Sequence, residues 1–572
     1  MSVILGLGAP CEHDPAAALF VDGRLVAAAE EERFIREKHA SGQLAVRAVR
    51  YCLNAAGLTA ADVTHVAFGW SPEAYHRAKW RHAANLLSAN LRAARKTISK
   101  AEKINRLKRR VVEDTLRHSG IDAQRVKIRY VEHHLAHAAS AYLCSGFQEA
   151  AVMSIDGSGE HISMLLGETA DGRFRKVKEI FTPHSLGLFY STITEYLGFQ
   201  ANDGEYKVMG MAPYGDPARV DVSHMIRRRR DTFLVNNDYV WVVEPKRYRQ
   251  DRMFSRKMVD EFGPPRTGNG LAEPYIHIAA AAQRALEEIV LAMMETHLGQ
   301  ALRRHGTLCL AGGCALNVTL NRKILGHPLV RRLFVQPAAN DAGTALGAAA
   351  LVAHEVGERI APMSSAACGP EFTMDDIRQA VEQSGCPFQI CENIADTAAE
   401  LLARGEIVGW FQGRMEFGPR ALGHRSILGH PAVKGTSDRL NTQIKFREPW
   451  RPFCPSLLPA YAADVLGSPH PSPFMSLSFV IQEPWRSRLA EVVHVDGSAR
   501  PHIVDQQANP RFYDVLQAFH RKTGLPAVIN TSMNRQGEPM ACTPEDALTI
   551  FAGSGLEYLC LGDYLVSKQS RS

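Results

Sequence analysis

Two histidines and two aspartates stand at positions from which they are able to share one metal ion. His133 and His137 are four residues apart in a segment with a helical pattern, so both imidazoles leave the same helix face. Asp156 stands in a glycine-rich turn after an apolar strand pattern, and Asp341 precedes a run of small residues. This ligand set suits iron, manganese or another transition metal better than structural zinc. The alternatives are ordinary surface or core histidines, and an N-cap role for Asp341.

A group of cationic residues occupies the last third of the chain, among apolar residues, glycines and prolines instead of on polar helix faces. Its members are Arg420, Arg425, Lys445, Arg447, Arg451 and Arg500. Asn530, Ser532 and Asn534 add amide and hydroxyl groups after a strand pattern. Because clustered cations are unfavourable without an anion between them, the pattern predicts an anionic ligand. Unrelated surface arginines are the alternative.

Glycine turns between strands and helices indicate a nucleotide site. Residues 3–24 and 152–173 share one plan: a strand, a glycine turn, a strand, and a hairpin closed by Asp22-Gly23 or Asp171-Gly172, turns that need positive φ. This internal similarity predicts a duplicated α/β domain with a nucleotide between its halves. Residues 308–317 and 333–343 are strand-to-helix steps whose backbone N–H groups suit phosphate and ribose oxygens. The first glycine turn lacks a carboxylate, which argues against a sugar kinase.

Length and composition predict a folded protein of at least two domains. The chain has 572 residues, 45% of them hydrophobic and 22% charged, which exceeds what one hydrophobic core supports. A stretch of small residues and prolines at 362–370 predicts a linker, giving domains at residues 1–355 and 375–572 joined by 356–374.

We expect a cytoplasmic protein without a membrane span. No apolar run reaches the length of a span, the start does not resemble a signal peptide, and the 11 cysteines lack paired CxxC spacing. The net charge is +6, with many cations in residues 77–110. That segment is interpreted as a solvated helical face, with a nucleic-acid surface or a lid for anionic substrates as alternatives.

Over nearly its full length the chain resembles the O-carbamoyltransferases of nodulation-factor and antibiotic biosynthesis. The matching segments are residues 12–14 (EHD), 30–34 (EEERF), 133–137 (HHLAH), 156–160 (DGSGE), 207–215 (KVMGMAPYG), 312–317 (GGCALN) and 417–423 (FGPRALG). The resemblance implies an α/β protein with an N-terminal actin-like (ASKHA) domain, similar to the universal tRNA threonylcarbamoyl-transferring protein, and a C-terminal YrdC-like domain.

The resemblance also implies a reaction in two halves. The YrdC-like domain cleaves carbamoyl phosphate and joins the carbamate to ATP, and the N-terminal domain passes the carbamoyl group from the adenylate to a hydroxyl. The implied cofactors are ATP, Fe(II) and Mg(II). The partners are small molecules: carbamoyl phosphate, ATP and the acceptor. A homodimer is possible, and a nucleic-acid partner is not expected.

Residue roles carry over by position. His133, His137, Asp156 and Asp341 are implied to hold iron, and His13 to act as general base, with a hydrogen-bonding turn residue as the alternative for His13. The nucleotide-binding residues are Gly157, Ser158, Gly159, Lys207, Gly210, Gly312, Gly313 and Asn317. The residues for carbamoyl phosphate and ATP in the C-terminal domain are Arg420, Arg425, Lys445, Arg447, Arg500, Asn530, Ser532 and Asn534.

Two other functions stay open at this point. A tRNA-modifying enzyme fits the relationship of both domains to the threonylcarbamoyl-adenosine pathway, and a non-catalytic actin-fold nucleotide sensor fits the basic helices. The acceptor is also open among aminoglycosides, cephems, nucleosides, macrolides and oligosaccharides.

Overall fold

The chain forms two compact units of mixed α/β structure. A computed structural model describes residues 1–8, 13–87, 91–170, 173–240 and 252–568. The first unit comprises Met1–Val26 and Ser41–Met363, and the second comprises Ala27–Ala40 and Ser364–Ser572. The predicted linker at 356–374 contains the junction between Met363 and Ser364, whereas the early segment Ala27–Ala40 of the second unit was not predicted.

Two five-stranded sheets lie in the first unit, except for residues 27–30 at the edge of one of them, which belong to the second unit. One sheet is built from β1 (Val3–Gly8), β2 (Ala16–Val21), β3 (Arg24–Glu30), β4 (His65–Phe68) and β5 (Lys127–Tyr130), in the order β3-β2-β1-β4-β5. The other is built from β6 (Ala150–Gly159), β7 (Ile162–Ala170), β8 (Arg173–Phe181), β11 (Thr307–Ala311) and β12 (Arg332–Val335), in the order β12-β11-β6-β7-β8. β9 (Ile226–Arg228) and β10 (Phe233–Val235) form a separate antiparallel pair.

The internal similarity of the sequence extends to strand order and direction. β1 pairs antiparallel with β2 and parallel with β4, while β6 pairs antiparallel with β7 and parallel with β11. The predicted turn at Asp22-Gly23 has the expected positive φ values of 46° and 75°. Its counterpart at residues 171 and 172 lies outside the described residues.

Helices connect and cover these strands. α1 (Glu32–Ile35) belongs to the second unit. The helices of the first unit are α2 (Val46–Ala55), α3 (Pro72–Leu87), α4 (Leu91–His118), α5 (His133–Tyr142), α6 (Leu186–Tyr196), α7 (Glu205–Met211), α8 (Arg256–Phe262), α9 (Tyr275–His305), α10 (Val318–Leu325) and α11 (Gly343–Glu355). No helix within the described ranges combines the length and the apolar character that crossing a membrane requires.

Helices α5 and α11 approach each other closely because small residues face one another. A Cβ atom added at Gly347 would lie 1.8 Å from the carbonyl oxygen of Ala136. Gly347 is therefore a contact point that sets the distance between the helix carrying His133 and His137 and the helix that follows Asp341.

The second unit is organised around one mixed sheet of eight strands. The strands are β13 (Phe388–Ile390), β14 (Val408–Phe411), β15 (Arg425–Gly429), β16 (Cys454–Leu457), β19 (His502–Ile503), β20 (Ala527–Ser532), β21 (Tyr558–Leu561) and β22 (Tyr564–Ser567). Their order is β13-β22-β21-β14-β15-β20-β16-β19, with β17 (Phe479–Val480) and β18 (Ser498–Ala499) paired separately. The helices are α12 (Met374–Ser384), α13 (Ile394–Ala403), α14 (Thr436–Arg439), α15 (Ala462–Leu466), α16 (Trp485–Arg488), α17 (Pro510–Thr523) and α18 (Pro544–Ala552), and a π-helical turn spans Leu440–Lys445.

Buried ion pairs hold the early segment within the second unit. Arg33 lies 3.2 Å from Glu30 and donates to the carbonyl of Gly418 at 3.0 Å. The Glu30 carboxylate in turn accepts from the Gly418 N–H at 2.9 Å. These contacts explain why a segment from the first part of the sequence belongs to the C-terminal unit.

We predict that Gly347→Ala destabilises the first unit by about 1–3 kcal/mol, because the added methyl overpacks the contact between α5 and α11. Gly299→Ala is the matched control, since its Cβ would meet only the Arg303 side chain, at 3.4 Å, within helix α9. Thermal unfolding of the two variants checks this, and equal melting temperatures for both would contradict it.

Candidate functional site

Two imidazoles and two carboxylates converge in the first unit. His133 and His137 come from α5, Asp156 from β6, and Asp341 from the loop before α11. His133 Nε2 lies 3.1 Å from Asp156 Oδ2, 3.1 Å from His137 Nε2 and 3.5 Å from Asp341 Oδ1. One ligand atom from each residue lies within 4.8 Å of those of the other three. We call these four residues the His/Asp centre.

The secondary structure explains the convergence. Helix α5 starts at His133, and the four-residue spacing turns both imidazoles to one face, as the sequence predicted. Asp341 does not cap α11, because the N-cap position is Ala342 and no side chain caps that helix. The carboxylate of Asp341 instead lies 3.5 Å from the Nε2 atoms of both histidines.

The electrostatics of the His/Asp centre fit a bound cation. Burial opposes ionisation of Asp156, but hydrogen bonds with His133 and His137 outweigh it and hold the Asp156 pKa well below its usual range. Burial also opposes protonation of His133, yet Asp341 and Asp156 raise its pKa to about 9. The shifts of Asp156 and His133 therefore both favour positive charge at the point where the four residues meet. Two imidazoles and two carboxylates are a donor set that a divalent transition metal binds.

Glu160 supports the His/Asp centre, a role the sequence did not predict. Its buried carboxylate accepts from the backbone N–H of His133 at 2.9 Å and from that of Ser71. The acid thus occupies the N-terminus of α5, where the helix dipole favours negative charge. Burial raises the pKa of Glu160 to about 7. In the sequence Glu160 appeared only as the last residue of the matching segment 156–160, with no role assigned to it.

His13 lies at the edge of the His/Asp centre. Its Nδ1 is 3.2 Å from Asp14 Oδ2, and its Nε2 is 4.0 Å from Asp341 Oδ2. Asn340 donates to the same Asp14 oxygen at 3.1 Å, which fixes the carboxylate that orients the ring. Burial would lower the pKa of His13, but Asp14 and Asp341 raise it to about 10. A cation in the centre would offset these carboxylates and favour neutral His13.

Several of the predicted nucleotide-binding glycines surround Asp156. Gly313 donates its backbone N–H to Asp156 Oδ1 at 3.2 Å, next to Gly312 at the end of β11. Gly157 and Ser158 lie in the last residues of β6. A Cβ at Gly159 would lie 2.2 Å from the His133 ring, so glycine there makes room for a member of the centre.

The other predicted nucleotide-binding residues have different surroundings. Lys207 and Gly210 lie on α7, and Lys207 Nζ is 5.2 Å from the centre of the Phe199 ring. The Asn317 side chain caps α10 by accepting from Leu320 N, and it exchanges hydrogen bonds with Gln283. Asn317 therefore has a structural use in addition to its predicted one.

In the second unit, Lys445 lies among other cationic side chains, namely Arg447, Arg451 and Lys38. Its Nζ donates to the Ser532 carbonyl at 2.7 Å and to Asn534 Oδ1 at 2.6 Å. Burial lowers the Lys445 pKa well below its usual range, and the charges of Arg447, Arg451 and Lys38 lower it further. The predicted lysine, serine and asparagine are therefore in direct contact. We call Lys445, Arg447, Ser532 and Asn534 the lysine cluster.

Neighbouring residues extend the lysine cluster. Arg447 is fixed by a 2.6 Å hydrogen bond from Nε to Asn441 Oδ1, and its guanidinium lies 4.3 Å from the centre of the Phe453 ring. On strand β16, the Cys454 Sγ atom accepts a hydrogen bond from Arg500 Nε at 3.1 Å. Cys454 also pairs with Asn530 of the neighbouring strand β20. Strands β16 and β20 thus bring Arg500 and Asn530 to one side of the sheet.

Arg425, which the sequence predicted to bind an anion, is surrounded by backbone carbonyls instead. Its guanidinium is buried and donates to the backbone carbonyls of Gln412, Gly413, His424 and Pro370 at 3.0–3.1 Å. These carbonyls balance its charge from within the protein, so we assign Arg425 to the fold and not to a ligand. Arg420 is half-buried in the loop before β15.

Two family models cover most of the chain. Residues 3–350 match the model described as Carbamoyltransferase N-terminus, and residues 399–568 match the one described as Carbamoyltransferase C-terminus. The N-terminal match contains every residue of the His/Asp centre, and the C-terminal match contains the whole lysine cluster.

Curated relatives are similar over long alignments. An uncharacterised protein of Synechocystis sp. is 36% identical over 100% of this chain and 97% of its own length. Nodulation protein NolNO of Sinorhizobium fredii is 37% identical over 98% of this chain and 80% of its own. The 3'-hydroxymethylcephem-O-carbamoyltransferase of Amycolatopsis lactamdurans is 31% identical over 62% of this chain and 64% of its own.

We predict that the purified protein binds a divalent transition metal at the His/Asp centre, and that His137→Gln weakens this binding by at least about 100-fold, since even supporting residues of metal sites contribute about 10–100-fold. His134→Gln is the control, because His134 is buried beside the centre but contacts Ser154 and the Ile162 carbonyl instead. Elemental analysis with calorimetric titration measures both. Equal metal binding by wild type and His137→Gln would disprove the assignment.

Proposed function

Because the chain belongs to the carbamoyltransferase family, we propose that this carbamoyltransferase is ATP-dependent and passes the carbamoyl group, through carbamoyl adenylate, to a hydroxyl of a small molecule. One relative is named for O-carbamoyl transfer to a hydroxymethylcephem, which supports a hydroxyl as the acceptor group here. We further assign the first unit to the actin-like class, supported by its two sheets of matching order, and the second unit to the YrdC-like class.

The lysine cluster is the observation that carries this proposal. Burial lowers the pKa of Lys445 most, the charges of Arg447, Arg451 and Lys38 lower it further, and the charge of Glu538 opposes them. Such an arrangement gains most from a ligand with several negative charges. Carbamoyl phosphate and ATP are both polyanions, so joining them requires concentrated positive charge.

The first half-reaction belongs to the second unit. Water cleaves carbamoyl phosphate to carbamate and phosphate. A carbamate oxygen then attacks the α-phosphorus of ATP, forming a mixed anhydride and breaking the bond to pyrophosphate, which leaves. In this scheme Lys445 and Arg447 stabilise the charge that develops on the phosphate oxygens. Ser532 and Asn534 hold the Lys445 ammonium in place.

The second half-reaction belongs to the first unit. The acceptor hydroxyl oxygen attacks the carbamoyl carbon, the bond from that carbon to the phosphate oxygen breaks, and AMP leaves. His13 Nε2 takes the hydroxyl proton, while Asp14 accepts from Nδ1 and keeps the ring oriented. A divalent iron bound by His133, His137, Asp156 and Asp341 would supply positive charge that orients a nucleotide phosphate.

Pyrophosphate release is the decisive assay for the first half-reaction. We expect pyrophosphate from ATP only when carbamoyl phosphate is present, and we expect Arg447→Ala to raise the KM for carbamoyl phosphate at least about tenfold, the cost of one charge-assisted hydrogen bond. Arg378→Ala, an exposed change on α12, is the control. Release that needs threonine and bicarbonate instead would favour a tRNA-modifying enzyme, and no release at all would favour a nucleotide sensor.

His13→Asn should slow the second half-reaction and leave the first unchanged. We expect carbamoyl-phosphate-dependent pyrophosphate release to continue, while formation of AMP and carbamoylated acceptor falls by about 100-fold or more, the usual contribution of a general base. His118→Asn, on the exposed end of α4, serves as control. Mass spectrometry of the product provides the readout. A parallel fall in both half-reactions would show that His13 is not the transfer base.

A further inference from the structure

Residues 417–424 form a loop whose backbone is held by side chains of the second unit. The loop directly precedes β15 and contains Arg420, one of the residues that the sequence predicted to bind an anion. Pro419 is exposed and Arg420 is half-buried, while the rest of the loop is buried. Because buried backbone N–H and C=O groups need partners, a buried loop outside a strand ladder depends on side chains to supply them.

The Glu416 carboxylate supplies three of these partners. Glu416 is 1% exposed, and its Oε1 atom accepts from the N–H groups of Leu422 at 2.6 Å, His424 at 2.9 Å and Arg425 at 3.2 Å. Hydrogen bonds to an ionised acceptor are about twice as strong as those between neutral groups. The three donors lie six, eight and nine residues after Glu416, so one carboxylate fixes the end of the loop to its beginning.

Other side chains fix the carbonyl groups of the same loop. Trp410 Nε1 donates to the Gly423 carbonyl at 3.0 Å, and Asn509 Nδ2 donates to the Leu422 carbonyl at 3.1 Å. Gly423 has a φ of 87°, and a Cβ atom there would lie 2.2 Å from the Phe512 ring. The loop is therefore held through both its N–H and its C=O groups.

Arg420 lies between two residues whose backbone is held in this way. Before it, the N–H and the carbonyl of Gly418 are both bound by the buried ion pair of the early segment. After it, the Ala421 carbonyl accepts from Asn530 Nδ2 at 3.2 Å. Asn530 stands two residues before Ser532 of the lysine cluster, on the same strand β20. The backbone that carries Arg420 is thus fixed beside the strand that leads into the lysine cluster.

We propose that Glu416 is a positioning residue for Arg420, and that it fixes the loop so that Arg420 holds the phosphate group of carbamoyl phosphate. The inference rests on the proposed function, because it takes the anion from that reaction. Glu416 does not touch the ligand and acts only through the backbone of the loop. A cation that is fixed before the anion arrives loses less conformational freedom on binding.

A double-mutant cycle measures whether Glu416 acts through Arg420. Glu416→Gln keeps the shape of the side chain and replaces the charged acceptor with a neutral one. We expect about three- to tenfold weaker binding of phosphonoacetamide to the full-length variant, the cost of ordering one flexible side chain. When Arg420→Ala is also present, Glu416→Gln should change the dissociation constant by less than about twofold, because the side chain that it positions is gone. Calorimetric titration measures all four proteins.

Glu491→Gln is the matched control. The Glu491 carboxylate also accepts from two backbone N–H groups, those of Gly435 at 3.0 Å and Ser437 at 2.7 Å, but these belong to the start of α14. This variant should bind the probe as tightly as wild type. Trp410→Phe removes the bond to the Gly423 carbonyl and should show the same coupling to Arg420, which provides a second test if Glu416→Gln does not fold.

The outcomes separate this inference from the proposed function. Equal losses from Glu416→Gln with and without the Arg420 side chain would overturn the inference, as would unweakened binding by Glu416→Gln or no binding by wild type. Pyrophosphate release from ATP and carbamoyl phosphate is measured in parallel on the same proteins. If wild type releases none yet binds the probe with the expected coupling, the proposed reaction fails while the positioning role stands.

Discussion

Burying charges of one sign together is unfavourable unless something of the opposite sign completes the site, and each unit of this protein contains such an arrangement. In the first unit, the carboxylates of Asp156 and Asp341 meet two buried imidazoles and favour positive charge between them. In the second unit, Lys445 is buried among other cations. One site therefore favours a cation and the other an anion, which supports a metal-assisted transfer site and a polyanion-activating site.

The surrounding structure holds these charges in position at several levels. The close contact at Gly347 sets the distance between α5 and α11, and Glu160 anchors the first turn of α5. Asn340 and Asp14 fix His13 in the same way. In the second unit, carbonyl and side-chain oxygens at the end of β20 fix the position of Lys445 Nζ. Groups fixed in advance by backbone and buried partners do not have to reorganise when the ligand binds, which favours catalysis.

Local periodicity predicted the parts of the site that depend on neighbours in sequence, and little else. The spacing of His133 and His137 was sufficient to place both rings on one helix face. Asp341 was different, because an N-cap and a metal ligand share the same sequence context and only the three-dimensional position of α5 distinguishes them. Arg425 and Lys445 likewise have similar contexts, but the carbonyls of Gln412 and Pro370 that surround Arg425 lie 13 and 55 residues away in the sequence. The membership of Ala27–Ala40 in the second unit depends on long-range ion pairs and had no local signal.

Proton uptake on anion binding would show that a polyanion completes the lysine cluster. An anion beside Lys445 must raise a pKa that burial and neighbouring cations have lowered, so binding should draw a proton from solution. The measurement is calorimetric titration with phosphonoacetamide, a stable analogue of carbamoyl phosphate, in two buffers of different ionisation enthalpy at mildly alkaline pH. We expect proton uptake in the wild-type protein and its loss in Lys445→Met. Binding without uptake, or equal uptake in the variant, would contradict it.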